Sequence, residues 1–147
     1  MSATISSINY CPVKSVSFQT IENCEIKKDI GIVSDRIFAF AKDLDKEQAK
    51  LFEKSPDDRK GKWNKVLTLK NSPVLNKYNF IFKDEKLTLT LKDKEILTID
   101  INQSEQREEL SNKISELESS LKQPITLMKN HEFPFFDTSI SNKVNFV

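Results

Sequence analysis

Leu87-Thr88-Leu89-Thr90-Leu91 alternates strictly between apolar and polar residues, and Leu97-Thr98-Ile99-Asp100-Ile101 repeats the pattern. A period of two directs one face of each run to a core and the other to water. Ile96 stands in front of the second run as one apolar residue too many. Just upstream, Tyr78, Phe80 and Phe82 share one face of a third run. Asp84-Glu85 and Asp93-Lys94 separate the three runs at hairpin spacing. Strands joined this closely pair as antiparallel neighbours, because a parallel pair needs a crossover of a dozen or more residues. The chain is thus committed to a three-stranded meander.

Other segments add to it. Residues 4–10 are half apolar and end before Pro12, which denies a backbone donor and suits a strand end. Val16-Ser17-Phe18 and residues 21–26 read as further strand material. Gly31 marks a turn, and Ile37-Phe38-Ala39-Phe40-Ala41 reads as a buried strand. Residues 63–69 and 125–128 are the remaining strand candidates. Residues 45–54 have helical composition, stopped by Pro56-Asp57-Asp58. The clearest helix runs from 104 to 122, with Leu110, Ile114, Leu117 and Leu121 on one face. Asn102 or Ser104 can cap it, and Pro124 ends it. The expected fold class is mainly β with one or two helices, an antiparallel β-barrel or rolled sheet.

Composition narrows the function. The chain has 147 residues, one domain's worth, and its ten phenylalanines supply core-forming bulk. With 23 basic against 22 acidic residues the net charge is +1. That balance offers no bulk attraction to nucleic acid or an anionic membrane, so any anion site must be local. The face bearing Tyr78, Phe80 and Phe82, flanked by Lys77 and Lys83, is accordingly read as a core face and not as a platform for bases. No apolar run reaches membrane-spanning length, and the first residues lack the pattern of a signal peptide. The expected setting is cytoplasmic, with Cys11 and Cys24 unpaired. Only two glycines are present, so most turns must be made with Asp, Asn and Lys.

Few clusters carry chemistry. Tyr10-Cys11-Pro12-Val13-Lys14-Ser15 places a lysine and a hydroxyl after a strand break. Gly31-Ile32-Val33-Ser34-Asp35-Arg36 places an arginine before another strand. Lysine offers a mobile point charge and arginine a planar fork that grips two oxygens. Brought together, Lys14, Ser15 and Arg36 would receive a phosphate-like anion. The plainer alternative keeps Lys14 in solvent and pairs Arg36 with a carboxylate such as Asp35 or Asp43. His131 is the sole histidine and has no companions at metal-ligand spacing. Residues 57–62 read as a charged loop, and Trp63 as a core anchor. No metal ligand and no catalytic residue is assigned.

The two motifs together resemble the N-terminal β-barrel domain of MOSC-family proteins. These include the mitochondrial amidoxime reducing component, its bacterial relatives and the C-terminal part of molybdenum cofactor sulfurases. The family's Tyr-Pro-Val-Lys-Ser stands here as Tyr10-Cys11-Pro12-Val13-Lys14-Ser15. Its Gly-x-x-x-Asp-Arg stands as Gly31 to Arg36, with Phe38 in place of the usual tryptophan. The likeness spans residues 5–101 and resumes at Phe136-Asp137-Thr138-Ser139.

The resemblance implies binding of the molybdenum cofactor, a pterin that carries molybdenum on a dithiolene and ends in a phosphate (molybdopterin). Lys14, Ser15 and Arg36 would contact it, as would Thr138 and Ser139. It further implies a barrel domain over residues 1–130 and the start of a truncated MOSC domain over 131–147. The family's cysteine ligand belongs beyond Val147, and neither Cys11 nor Cys24 stands in its place. The chain is therefore expected to frame the cofactor and substrate entrance of a molybdenum-dependent oxidoreductase, without redox chemistry of its own. A non-catalytic binding module and a sulfurase-type domain are the alternatives. Expected partners are the missing C-terminal MOSC domain, an electron-transfer protein, and a second copy through the C-terminal tail; nucleic acid and membrane are not.

Overall fold

A computed structural model describes residues 2–136. Its strands are β1 (Ile8–Tyr10), β2 (Gln19–Ile21), β3 (Ile26–Lys27), β4 (Gly31–Ile32), β5 (Phe38–Lys42), β6 (Tyr78–Lys83), β7 (Lys86–Leu91), β8 (Lys94–Asp100) and β9 (Ile125–Lys129). Helices α1 (Lys46–Lys54) and α2 (Pro56–Arg59) follow β5, and α3 (Ser104–Leu117) lies between β8 and β9.

The meander forms as the alternation requires. β6, β7 and β8 pair antiparallel in that order, with Tyr78, Phe80, Leu87, Leu89 and Ile99 buried on one face. Both hairpins have two-residue turns, Asp84-Glu85 and Lys92-Asp93, with all four residues at positive φ. Positive φ at both central positions matches the twist of the flanking strands. The second turn sits one residue earlier than the sequence suggested, because Lys94 already pairs with Leu91. Leu89 faces Leu97 and Thr90 faces Glu95, so Ile96 is the surplus residue of a β-bulge. The apolar residue in excess of the pattern is the one the ladder leaves out.

Glycine scarcity has a direct structural result. Among the described residues, nine non-glycine positions have positive φ, alongside both glycines. Four of them are aspartates, Asp29, Asp43, Asp84 and Asp93, a residue type enriched in this region.

The sheets roll around one core without closing into a single ladder. β1 pairs with β2, and β5 with β9. The β1–β2 hairpin is fastened to β6 by side chains. Ser17 Oγ accepts from the Phe80 N–H at 2.9 Å and Gln19 Oε1 from the Phe82 N–H at 3.1 Å. The Tyr10 hydroxyl donates to the Phe82 carbonyl at 3.2 Å. On the far side α3 packs on β8 and β9. Ser111 Oγ accepts from the Leu127 N–H at 2.9 Å there, which blunts the edge of β9. A second, smaller cluster joins Ala39, Ala41, Phe52, Val66, Met128 and Phe135, with Trp63 packed against it. The functional site lies beside this cluster.

Several expectations differ from the structure; residues 16–18 are a turn and irregular backbone ahead of β2, not a strand. Residues 63–69 are not a strand: Trp63–Lys65 form a 3₁₀ turn, and Val66 makes one bridge to Ala41. Helix α3 stops at Leu117, where Glu118 turns its buried carboxylate to the Tyr78 hydroxyl at 2.6 Å and to Lys77. Leu121 still reaches the core from outside the helix. Neither Asn102 nor Ser104 caps α3; Gln103 occupies the cap position without a side-chain bond. By contrast, α1 has the reciprocal Asp45–Gln48 capping box that its composition permits. No helix among the described residues is long and apolar enough to cross a membrane.

Candidate anion-binding site

The two motifs meet through their backbones. Residues 11–14 run parallel to 36–38, with Val13 opposite Phe38. The Arg36 N–H donates to the Cys11 carbonyl at 2.7 Å and the Phe38 N–H to the Pro12 carbonyl at 3.0 Å. The Lys14 N–H returns a bond to the Phe38 carbonyl at 2.8 Å. Pro12 suits this junction because only its carbonyl is needed. Ser15, at φ 59°, then turns the chain out of the pairing.

Asp35 clasps the junction. It is 8% exposed, and its Oδ1 accepts from the Cys11 N–H at 2.8 Å. Its Oδ2 is paired with the Arg36 guanidinium. One carboxylate thus ties the first motif to the second and holds Arg36 at the rim. Charge-assisted bonds of this kind are roughly twice as strong as neutral ones.

The side chains of the two cations face different aromatic rings. Lys14 is only 3% exposed, with Nζ 5.0 Å from the centre of the Trp63 ring. Arg36 has its guanidinium 5.3 Å from the Phe136 ring centre, and a third of its side chain is exposed. Ser15 is half-buried between Lys14 and an open cleft. The plainer sequence reading is therefore half right: Arg36 pairs with Asp35, but Lys14 is not a solvated charge. Thr138 and Ser139 lie outside the described residues.

A neighbouring arginine escaped the sequence reading. Arg59 stands in a run whose sequence reads as a charged loop, yet it is 2% exposed. It donates to four main-chain carbonyls, those of Phe52 (2.8 Å), Glu53 (2.9 Å), Phe133 (2.8 Å) and Pro134 (3.1 Å). Its guanidinium also lies 4.2 Å from the Phe135 ring centre. Burial draws its pKa down to about 10. Arg59 thereby docks residues 133–136, and the Phe135 N–H bonds the Arg36 carbonyl at 2.8 Å. Nothing in the run of residues 57–62 distinguishes this arginine from its solvated neighbours.

Both cysteines are free. The Cys11 thiol donates to the Val13 carbonyl at 2.8 Å, and burial pushes its pKa up. It serves the junction as a small buried donor, far from thiolate character. Among the described residues no group of three or more His, Cys, Asp and Glu is placed to hold a metal ion.

The fold and junction define a small rolled β domain in which one backbone pairing joins the segments that carry Lys14, Ser15 and Arg36. The chain belongs to the family described as the MOSC N-terminal beta barrel domain, whose profile matches residues 2–124. No curated protein and no solved structure matches it. The family is associated with the molybdenum cofactor. The donor types on the two paired segments suit an anionic group in their chemistry: a part-exposed guanidinium, a hydroxyl and a buried ammonium, with an aromatic ring beside each charge.

Proposed function

We propose that this domain cradles the phosphate-bearing end of the molybdenum cofactor and frames the substrate entrance of an oxidoreductase. The observation behind this reading is the backbone pairing of residues 11–14 with 36–38, which joins the segment carrying Lys14 and Ser15 to the one carrying Arg36. Arg36 offers the exposed guanidinium edge to anionic oxygens. Ser15 donates a hydroxyl hydrogen bond from a turn that also presents backbone donors. Lys14 adds positive potential from a poorly hydrated position, where it acts more strongly than in bulk water. Asp35 holds Arg36 in place before the ligand arrives, which lowers the entropy lost on binding. When bound, the cofactor supplies two-electron redox chemistry at molybdenum. An adjoining MOSC domain would provide the metal's protein ligand, and an electron-transfer protein its electrons.

The test is pterin content. Protein produced in cofactor-making cells is purified, and the pterin it retains is oxidised and quantified by fluorescence. Wild type is expected to retain pterin, with Arg36→Gln and Lys14→Met each lowering occupancy at least about tenfold, as loss of one charge-assisted contact predicts. Folded wild-type protein without pterin, or equal pterin in all three, would overturn the reading.

A further inference from the structure

A large cavity adjoins the candidate cradle but differs from it chemically. It is a cleft of about 980 Å³ that opens beside Ser15 and runs between the 15–18 loop, Trp63 and the start of β6. Trp63, Phe18 and Leu69 form its apolar walls, and Asn64, Asn76 and Asn79 stand around them. Among the described residues no carboxylate lines it, and Lys70 is the single charged lining residue. A volume of this order accommodates a small organic molecule.

The amides divide into two groups. Asn71 is used by the fold: its Nδ2 donates to the Val66 carbonyl at 2.8 Å, and its Oδ1 accepts from the Thr68 N–H at 3.0 Å. Asn64, Asn76 and Asn79 have no such role and are exposed, so their donors and acceptors are available to a ligand. Phe18 is 73% exposed at the lip.

We propose that this cleft binds an uncharged heteroaromatic molecule bearing both hydrogen-bond donors and acceptors, of nucleobase or nicotinamide size. Two aromatic walls favour a flat π-system. Three amides, each with a donor and an acceptor end, match a ring edge that carries both. The lack of carboxylates among the described lining residues removes the attraction a cationic ligand would need. The site stands whether or not the cradle holds a cofactor; its use as a substrate subsite rests on that reading.

Trp63 is the chain's single tryptophan, so its fluorescence reports directly on this cleft. Adenine and nicotinamide are titrated against benzoate and cyclohexanol, and calorimetry of the same titrations gives a readout independent of the indole. The expected result is saturable binding of adenine or nicotinamide, at least about tenfold tighter than benzoate or cyclohexanol. The exposed double variant Asn76→Ala/Asn79→Ala should weaken that binding about tenfold. Arg36→Gln, which disables the cradle, should leave it unchanged. No saturable binding, equal affinity for cyclohexanol, or indifference to the double variant would each overturn the proposal. Loss of adenine binding with pterin retained sinks the cleft alone, and the reverse pattern sinks the cradle alone.

Discussion

In the meander, spatial neighbours are close in the chain: Lys83 pairs with Lys86, and Leu91 with both Tyr78 and Lys94. At the junction they are remote. Cys11 meets Asp35, Lys14 meets Trp63, and Arg59 meets Pro134, 75 residues away. The meander is a local solution in which each turn and each alternation settles its own register. The junction exists only after β5, the 3₁₀ turn at Trp63 and residues 133–136 are all in place. The first region is scaffold; the second joins two motifs that are remote in the chain.

The comparison can be broken most sharply at Phe80, buried in the meander and 5.7 Å from the Phe40 ring centre. Phe80→Ala should lower unfolding free energy by about 4 kcal/mol, read by chemical denaturation. Anion binding by the remaining folded protein should be unchanged. A loss of binding without a loss of stability would mean that the two regions are not separable in this way.

Arg59→Met attacks the other side. It leaves four carbonyls without their donor in an environment that water reaches poorly, which should cost about 3 kcal/mol. It should also loosen residues 133–136 and so weaken anion affinity in whatever stays folded. Arg59→Lys should recover only part of the loss, since one ammonium cannot span both pairs of carbonyls. Full recovery by lysine would show that the charge matters and the four-way geometry does not.

These contrasts also explain what was legible in the sequence. Alternation and turn spacing depend on residues within one hairpin, so the meander and its first turn could be read directly, the second turn to within one residue, and Ile96 stood out as surplus though not as a bulge. The capping box of α1 is equally local. The end of α3 was not readable, because Glu118 is drawn from the helix by Lys77 and Tyr78, partners some 40 residues upstream. The residues from Trp63 to Leu69 look like a strand in isolation, yet they have only Ala41 to bridge. At the site, Lys14, Ser15 and Arg36 were visible as a motif pair, whereas the Asp35 clasp and the Arg59 anchor depend on contacts no local pattern records.

A smaller effect separates turn chemistry in the two regions. Glu85 and Ser15 both adopt positive φ without being glycine. Glu85→Gly should stabilise the fold by about 1 kcal/mol through relief of that conformation. Ser15→Gly should give a similar gain, but it should also lower anion affinity by removing the hydroxyl. If neither substitution raises the melting temperature, the left-handed turns are not under strain.

The smallest effect is a pH dependence at Asp43. Hydrogen bonds from Lys65 (2.6 Å) and Lys122 (2.9 Å) hold its carboxyl at about 2, below the ordinary value of 3.8. Above pH 4 the carboxylate is ionised in both folded and unfolded chains, and its stabilisation is fully present. As pH falls from 4 to 2 the unfolded chain takes up a proton that the folded chain refuses, so the stabilisation is lost. Asp43→Asn removes this titration while keeping a residue that accepts φ 53°. Denaturation curves at pH 5, 4, 3 and 2 should show the wild-type advantage over the variant shrinking steadily and disappearing near pH 2. Because Asp43 bonds a lysine beside Trp63 and another beyond α3, its loss should leave the meander's own stability untouched. An advantage that stays constant with pH would mean that the two lysines do not favour the charged form.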